Sequence, residues 1–214
     1  MKNRIKYEAF VENEFIPVFS KPWWLDAVCG KDNWDVILIE NKDAVIASFP
    51  FCKKTKYMFL KGISMPIFTP KLGPYIKYPE NFKNIDHISY ENKIYDEIIK
   101  KLPDYDYLNI CFDYKYKNWL PFYWNNFKNI PLYTYMLEDI SNVDAVYENF
   151  DRSKKKNIKK AIKEGLIVKY DLPCDKFYEN HELSLKKQKQ KISYTFEQFK
   201  VIYKSLKPET FRGA

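Results

Sequence analysis

The spacing of apolar residues predicts a run of antiparallel strands early in the chain. The segments WDVILIE and AVIASFPFC are rich in apolar residues, and Asn41, Lys42 and Asp43 join them. Two such runs with a short polar connection are typical of a β-hairpin. The segment KYMFLKGI predicts a third antiparallel strand. The next segment, SMPIFTPKLGPYIKYP, carries four prolines and predicts an extended irregular loop, a kind of segment that is often functional.

The remaining pattern predicts helices around this sheet and two further strands. SKPWWLDAVCG predicts a short helix with Ser20 as its cap, Pro22 in its first turn and Gly30 after its end. SYENKIYDEIIKKL has helical spacing and ends before Pro103. We expect residues up to Pro17 to be extended. DYLNICF and LYTYMLEDI predict strands, whereas VDAVYENF, KFYENHELSLKKQKQ and TFEQFKVIYKSL predict helices.

Residues 151–172 begin with a strongly basic helix. Its basic residues are Arg152, Lys154, Lys155, Lys156, Lys159, Lys160 and Lys163. Like charges this close repel each other, so we expect packing of an apolar stripe to hold the helix. The stripe residues are Ile158, Ala161, Ile162 and Leu166, which recur at helical spacing. The charge itself is either a solvated face or a surface that binds anions.

The same stretch then turns into a short predicted strand. Gly165 can adopt the left-handed conformation that ends a helix. Leu166, Val168 and Tyr170 then alternate with Ile167, Lys169 and Asp171, as the two faces of a strand do. We interpret residues 151–172 as the joint between one complete α/β domain and the opening of a second one.

Composition limits the classes of function. The chain has 214 residues, of which 46% are hydrophobic and 18% aromatic, enough for a real core. Only five residues are glycine, which argues against a glycine-rich phosphate-binding enzyme and against a disordered chain. The net charge of +8 suggests an anionic partner.

Cysteine usage and hydropathy indicate a cytoplasmic protein. Cys29, Cys52, Cys111 and Cys174 are scattered without a C-x-x-C pair, so we expect free thiols in a reducing compartment and no metal site. The N-terminus lacks the apolar core of a signal peptide. No run of about twenty apolar residues is present, so we expect no membrane span.

Several segments together resemble the FemAB-type peptidoglycan bridge-forming aminoacyltransferases and related acyltransferase-like proteins. They are SKPWWLDAVCG followed by WDVILIE, TPKLGPYIKY, YDYLNICF, WLPFYWNNF with LYTYMLEDI, and RSKKKNIKKA followed by a strand. That family has two acetyltransferase-fold (GNAT-like) domains in tandem. The resemblance implies an α/β (α+β) fold with a mixed, mainly antiparallel sheet flanked by helices. It places a first GNAT-like domain at residues 1–140, connecting helices at 141–165 and an incomplete second GNAT-like domain at 166–214.

The resemblance also implies transfer of an acyl or aminoacyl group to an amine. The donor would be acyl-CoA or an aminoacyl-tRNA, and the acceptor in bridge-forming members is a cell-wall precursor peptide. After KYMFLKGI this chain has the proline loop instead of the Q/R-x-x-G-x-G/A turn that binds coenzyme A, so we expect no usual coenzyme A site there. If the resemblance holds, the chain is a fragment, a truncated form or a natural partial copy, inactive and without a bound cofactor.

No catalytic group can be assigned from the sequence. His87 and His181 are the only histidines, and neither has a recognisable setting; transfer to an amine can rely on positioning and electrostatics instead. The aromatic cluster Trp119, Phe122, Tyr123 and Trp124 is either core or a ligand platform. The residues that we predict to bind substrate are Trp24, Tyr75, Trp124, Arg152, Lys156, Lys159 and Lys160. The lysines and Arg152 would contact an anionic small molecule or the phosphates of a precursor or tRNA.

Two other classes of function stay open. One is a nucleic-acid-binding module, in which basic residues contact phosphates and aromatic residues stack on bases. The other is a non-catalytic interaction domain. Because the helices at 176–190 and 195–206 carry apolar stripes, we expect residues after Gly165 to dock onto the first domain, to form a homodimer, or to be mobile and easily clipped.

Overall fold

The computed structural model describes residues 2–57, 59–80, 82–168 and 172–206. The chain divides into two compact units. Met1–Ile130 together with Lys189–Ala214 form one, which we call the sheet unit, and Pro131–Gln188 form the other, the helical unit. The domain boundaries predicted at residues 140 and 165 stay a prediction.

The helices in the described residues are α1 (Lys2–Asn13), α2 (Pro22–Cys29), α3 (Asn84–Lys100), α4 (Leu120–Trp124), α5 (Val143–Glu148), α6 (Arg152–Lys163), α7 (Cys174–Lys187) and α8 (Phe196–Ser205). The strands are β1 (Trp34–Asn41), β2 (Ala44–Lys56), β3 (Leu60–Ser64), β4 (Tyr75–Ile76) and β5 (Tyr107–Asn109). The predicted hairpin, third strand and later helices are therefore confirmed as elements.

One sheet organises the sheet unit. Its strand order is β1-β2-β3-β5, and the short β4 pairs with β2. The pairs β1–β2, β2–β3 and β2–β4 are antiparallel, whereas β3–β5 is parallel. The predicted mixed α/β fold with a mainly antiparallel sheet flanked by helices is confirmed at this level.

The hairpin between β1 and β2 has the turn that its sequence indicates. Lys42 and Asp43 both have positive φ, +47° and +65°, and Asn41 pairs directly with Ala44. A two-residue connection with both φ angles positive matches the right-handed twist of the flanking strands. The turn therefore fixes the pairing next to it, and an irregularity between Ile39 and Glu40 then shifts the register, so that Ile39 pairs with Ala47.

The sheet is buried on both faces. In β1, Ile37 and Ile39 join one apolar cluster, and Val36 and Leu38 join another, because successive side chains of a strand point to opposite faces. The first cluster includes residues of α3, and the second includes residues of α1 and α2. Two-sided cover explains why these strands have almost continuous apolar runs.

The prediction of an extended N-terminus was wrong, because residues 2–13 form α1. Tyr7 is fully buried, and its hydroxyl donates to the carbonyl oxygen of Ser20 at 2.7 Å. Tyr7, Phe10 and Val11 all pack in the second cluster. Phe10 and Val11 follow Tyr7 by three and four residues, which is helical spacing. The sequence therefore contains a helical pattern in this segment, although only over a short stretch.

The start of α2 differs from its prediction in one residue. Pro22 occupies the first turn and Gly30, with φ +85°, follows the end, as predicted. Lys21 is the N-cap, however, and no side chain caps the helix. Ser20 instead closes a 3-10 turn at Val18–Ser20 and is buried, which takes it out of the capping position.

Two predicted strands are not formed. Residues 132–140 have no strand, and Tyr133 and Tyr135 are 95% and 103% exposed. Residues 166–168 also form no strand, while residues 169–171 of that prediction lie outside the described residues. An alternating pattern needs a paired neighbour to become a strand, and the described residues supply none here.

The helical unit holds its helices through their ends. Asn142 and Asp151 cap α5 and α6, accepting from the backbone N–H groups of Ala145 and Ser153 at 3.0 and 2.7 Å. Within residues 131–168 and 172–188 no side chain is buried. The expected packing of the α6 stripe was therefore wrong in part, since Ile162 is 72% exposed.

The last helix packs within the sheet unit. α8 contacts α2, Ile202 is buried, and the ring centroids of Phe68 and Tyr194 lie 4.3 Å apart. A capping box at Thr195 and Gln198 starts this helix. Docking, one of the three outcomes expected for the residues after Gly165, is thus the one that α8 adopts.

Candidate functional site

A cavity of about 80 Å³ lies in the sheet unit, between the segment after α1, the proline loop and the segment after β5. Its wall consists of Phe15, Pro17, Ser20, Lys71, Leu72, Gly73, Pro74, Tyr75, Asp113, Lys115 and Tyr116. A volume of this size has room for a few water molecules or for one small polar group of a larger ligand.

Backbone contacts hold the proline loop against the segment after β5. The N–H of Leu72 donates to the carbonyl oxygen of Cys111 at 2.8 Å. A Cβ on Gly73 would lie 2.7 Å from Cδ1 of Phe112, so only glycine lets the loop approach that ring so closely. The N–H of Ile76 also donates to the hydroxyl of Tyr116 at 3.2 Å. The cavity is therefore built by segments distant in sequence but fixed in position.

Tyr75 belongs to a polar group at one side of the cavity. Its hydroxyl donates to Oε2 of Glu14 at 3.0 Å, and the ammonium of Lys77 pairs with Oε1 of the same carboxylate. The hydrogen bond from Lys77 is the main cause that lowers the pKa of Glu14. Burial first, and Glu14 second, raise the pKa of Tyr75 to about 12. At neutral pH Tyr75 is thus a neutral donor beside an ionised Glu14.

The wall also carries two cations, Lys71 and Lys115. Lys71 pairs with Asp113, whose side chain is only 13% exposed. Lys115 also lines the cavity and forms no ion pair with any residue that the structure describes. Because one cation is neutralised and the other is not, the wall favours a small anionic group such as a carboxylate or phosphate.

The structure places the three predicted aromatic binding residues differently. Tyr75 lines the cavity. Trp24 is buried, and its indole N–H donates to Oγ1 of Thr69 at 3.0 Å; it belongs to the core and not to the cavity wall. Trp124 ends α4 and is 58% exposed, while Phe122 of the same helix is buried in the core.

No protein-family model matches this chain, and no curated protein matches it. The resemblance to FemAB-type proteins therefore stays an expectation from the sequence. Within the described residues there is also no helix long and apolar enough to cross a membrane, and no group of three or more metal-ligating side chains.

The predicted basic residues all lie on α6, in the helical unit. Arg152, Lys156 and Lys159 are exposed and form no ion pair in the part of the chain that the structure describes. Lys160 has a loose pair with Glu164, at 3.7 Å. The helix thus presents a dense, largely unneutralised positive charge to solvent.

Sequence reasoning missed five polar residues of the cavity, which are Ser20, assigned to a helix cap, and Lys71, Asp113, Lys115 and Tyr116. A signal for the last three exists, because they follow β5, and side chains just beyond a strand's end often reach a site at the edge of a sheet. Lys71 lies in the proline loop that was singled out, two residues before Gly73. What the sequence does not contain is the pairing that brings the two segments together.

The remaining nucleophilic and basic groups have structural settings. His87 lies in α3, and its ring stacks on that of Tyr78 with centroids 4.6 Å apart. The four cysteines carry free thiols. Burial raises the pKa of Tyr95, and also that of Tyr116, which keeps both phenols neutral near pH 7.

Proposed function

We propose that this protein is acyltransferase-like or aminoacyltransferase-like, and that its sheet unit binds the acceptor, an amine-bearing cell-wall precursor peptide, at the cavity beside Tyr75. The observation that carries the proposal is the unneutralised Lys115 in a cavity that also presents Tyr75 and Asp113. The sheet with helices on both faces and the proline loop next to it agree with the arrangement implied by the resemblance.

Each polar group of the cavity has a role in this proposal. The exposed ammonium of Lys115 binds a carboxylate or phosphate of the acceptor that stays outside the cavity, because the cavity has room for only one small polar group. Asp113, an anion held by Lys71, accepts a hydrogen bond from the acceptor's amine. Tyr75 is held by Glu14 and presents an oxygen lone pair to the same amine. Such positioning of an amine can supply much of the rate of transfer.

The donors that the resemblance implies are acyl-CoA and aminoacyl-tRNA. We assign no residue of this chain to their binding. The sheet unit has the proline loop after β3, where a coenzyme A-binding acetyltransferase has its glycine-rich turn. The proposal therefore concerns acceptor binding in this unit.

Calorimetric titration with a nucleotide-linked cell-wall precursor peptide tests the proposal. We expect Lys115→Ala to weaken binding about five- to tenfold, the effect of one charge-assisted hydrogen bond of about 1–1.5 kcal/mol. Lys93→Ala is the matched control, because Lys93 is an exposed lysine of α3 outside the cavity wall. Failure of the unaltered protein to bind the precursor, or equal losses in both variants, would contradict the proposal.

A second candidate function is a non-catalytic module that binds an anionic partner such as RNA. The exposed cations of α6 favour it. Reversal of charge in Lys156→Glu together with Lys160→Glu should then weaken binding of single-stranded RNA or tRNA in a filter assay, with a steep salt dependence. Lys115→Ala should leave RNA binding unchanged, which separates the two functions.

A further inference from the structure

Helix α6 carries an exposed aliphatic surface beside its positive charge. Ile162 is 72% exposed, and Leu166, Ile167 and Val168 are 69%, 77% and 76% exposed. These four aliphatic side chains lie within seven consecutive residues. Binding of phosphates alone does not require exposed aliphatic side chains. Exposed apolar clusters of this kind mark contact with a partner or a membrane.

The end of α6 brings these residues together. Gly165, with φ +69°, lets the chain turn back at the end of the helix. The N–H of Gly165 donates to the carbonyl oxygen of Ile162 at 3.1 Å, and the N–H of Leu166 donates to the carbonyl oxygen of Ala161 at 3.0 Å. This pair of bonds is the Schellman arrangement, which places the residue after the glycine beside the last turn of the helix. Leu166 is therefore next to the apolar stripe of α6, and the exposed Ile167 and Val168 follow it in the chain.

Cations lie beside this aliphatic surface and behind it. With Ile158, Ala161 and Ile162 on one side of the helix, 100° per residue places Lys159 at the flank next to Ile162 and Lys154 on the apolar side itself, one turn before Ile158. Lys156 and Lys163 fall on the far side. None of these four lysines has an ion pair within the described residues. An apolar face with lysines beside and behind it is the pattern of helices that lie in a membrane interface, where long lysine side chains reach the headgroups.

We propose that α6 with residues 165–168 is a peripheral anchor that binds an anionic lipid surface. Ile162 and residues 166–168 enter the boundary between headgroups and acyl chains, and the flanking lysines meet headgroup phosphates. This inference concerns the helical unit alone and does not rest on the cavity beside Tyr75.

Two other occupants fit the surface less well. RNA would use the lysines but leave the aliphatic side chains in water. A second copy of the chain, meeting this face symmetrically, would bring two copies of the seven-cation helix together, and like charges so placed repel each other. An anionic lipid surface matches both the charge and the aliphatic cluster.

Co-sedimentation of the 214-residue chain with vesicles tests the proposal. The vesicles contain either equal parts of phosphatidylglycerol and phosphatidylcholine, or phosphatidylcholine alone. We expect at least about tenfold stronger binding to the anionic vesicles. One double variant carries Ile162→Ser and Leu166→Ser, and another carries Lys156→Glu and Lys159→Glu. Each should lower binding to the anionic vesicles about tenfold or more.

Matched controls lie on α7 in the same unit. Leu183 is 54% exposed and Lys187 is exposed, so Leu183→Ser and Lys187→Glu should keep binding within about twofold. Lys115→Ala should also keep it, which separates this proposal from acceptor binding. Hydrogen exchange on the unaltered protein gives a second measurement: anionic vesicles should protect amides within residues 154–168 and leave those of α7 unchanged.

Three results would overturn the proposal. One is failure of the unaltered protein to sediment with anionic vesicles or to show the protection. Another is loss of vesicle binding in the lysine variant but not in the aliphatic variant, which would indicate a plain polyanion surface such as one for RNA. The third is a dimer without vesicles that the aliphatic variant dissociates, which would assign the cluster to a second copy.

Discussion

In the sheet unit, Phe49, Tyr95 and Ile98 are wholly buried, whereas in residues 131–168 and 172–188 of the helical unit no side chain is buried. Both units contain many apolar residues, so composition does not explain the difference. In the sheet unit strand pairing places alternate side chains against helices on two faces. In the helical unit apolar side chains such as Ile162 stay on the surface.

The sheet unit contains the apolar core that stabilises the protein, whereas the helical unit has exposed apolar side chains that are available for binding. Burial of large apolar side chains is the main source of stability in a folded domain, and the sheet unit contains it. The short helices α5 and α6 have local stabilisation instead, through Asn142, Asp151 and the turn at Gly165. Short helices with only such support are marginal in water, so we expect the helical unit to be the less stable part.

The largest expected effect comes from a pair of truncations, one in each unit. Phe49→Ala removes a fully buried ring and should lower the free energy of unfolding by about 3–5 kcal/mol. Ile162→Ala removes an exposed side chain and should change it by less than about 0.5 kcal/mol. Urea unfolding followed by circular dichroism measures both. Similar losses in the two variants would show that the helical unit has a core in solution.

A pair of glycine substitutions should give an intermediate effect. In Gly62→Ala the new Cβ would lie 2.0 Å from Cζ of Tyr107, so the Tyr107 ring must leave its place over Gly62, at about 1–3 kcal/mol of global stability. At Gly165 nothing lies within 4 Å, but φ is +69°. Gly165→Ala should therefore cost about 1 kcal/mol and loosen only the end of α6.

Urea unfolding and amide hydrogen exchange distinguish these two glycine effects. Gly62→Ala should shift the urea midpoint, while Gly165→Ala should speed exchange at Gly165 and Leu166 with the midpoint nearly unchanged. A clear midpoint shift in Gly165→Ala would mean that the end of α6 unfolds together with the sheet unit.

A smaller effect is expected from the pH dependence of Glu14. The pKa of Glu14 is lowered in the folded protein, chiefly by the hydrogen bond from Lys77. The ionised carboxylate therefore stabilises the folded protein fully above pH 4.5, the ordinary pKa of the group. This stabilisation is lost as pH falls through the lowered pKa. Because Lys77 is largely exposed, the contribution is at most about 1 kcal/mol. The difference in urea midpoint between the unaltered protein and Glu14→Gln should be constant near neutral pH and shrink below pH 4.5.

Glu148 in the helical unit is the control for this pH experiment. Its pKa is also lowered, by the hydrogen bond from Lys155 first, and its side chain is exposed. Glu148→Gln should leave the pH dependence of global unfolding unchanged, because this pair stabilises only the local contact of α5 with α6. An equal pH effect in both variants would contradict the division of stability between the units.

The elements that sequence reasoning predicted correctly are those with local signals. The hairpin has its turn residues at Lys42 and Asp43, and α6 has its cap at Asp151 and its glycine at Gly165. The predicted strands at 132–140 and in the described part of 166–170 failed because strand formation depends on a partner elsewhere in the chain. Alternation alone does not supply that partner.

The candidate site was predicted only in part, for the same reason. The prolines identified the loop that presents Tyr75 to the cavity. Asp113 and Lys115 reach the same cavity because β5 pairs in parallel with β3, and a parallel pairing between distant segments leaves no local trace in the sequence. Trp24 was predicted to bind substrate, but it is buried in the core, because its neighbour Trp23 is also a tryptophan and the local sequence does not decide which of the two is buried.

The smallest expected effect concerns repulsion within α6. Lys156→Gln removes one cation that lies four residues before Lys160 and loses no ion pair of the described residues, so it should stabilise the helix by a few tenths of a kcal/mol, about 0.2–0.5. Lys160→Gln relieves the same repulsion but loses the pair with Glu164 at 3.7 Å, so its net effect should be close to zero. Amide hydrogen exchange within residues 155–163 measures both, and the difference between the variants should vanish at about 1 M salt, where exposed charges are screened within about 3 Å. A difference that persists at high salt would mean that Lys156 acts on α6 through packing of its side chain. Side-chain contacts, and not only the helix ends, would then stabilise the helical unit.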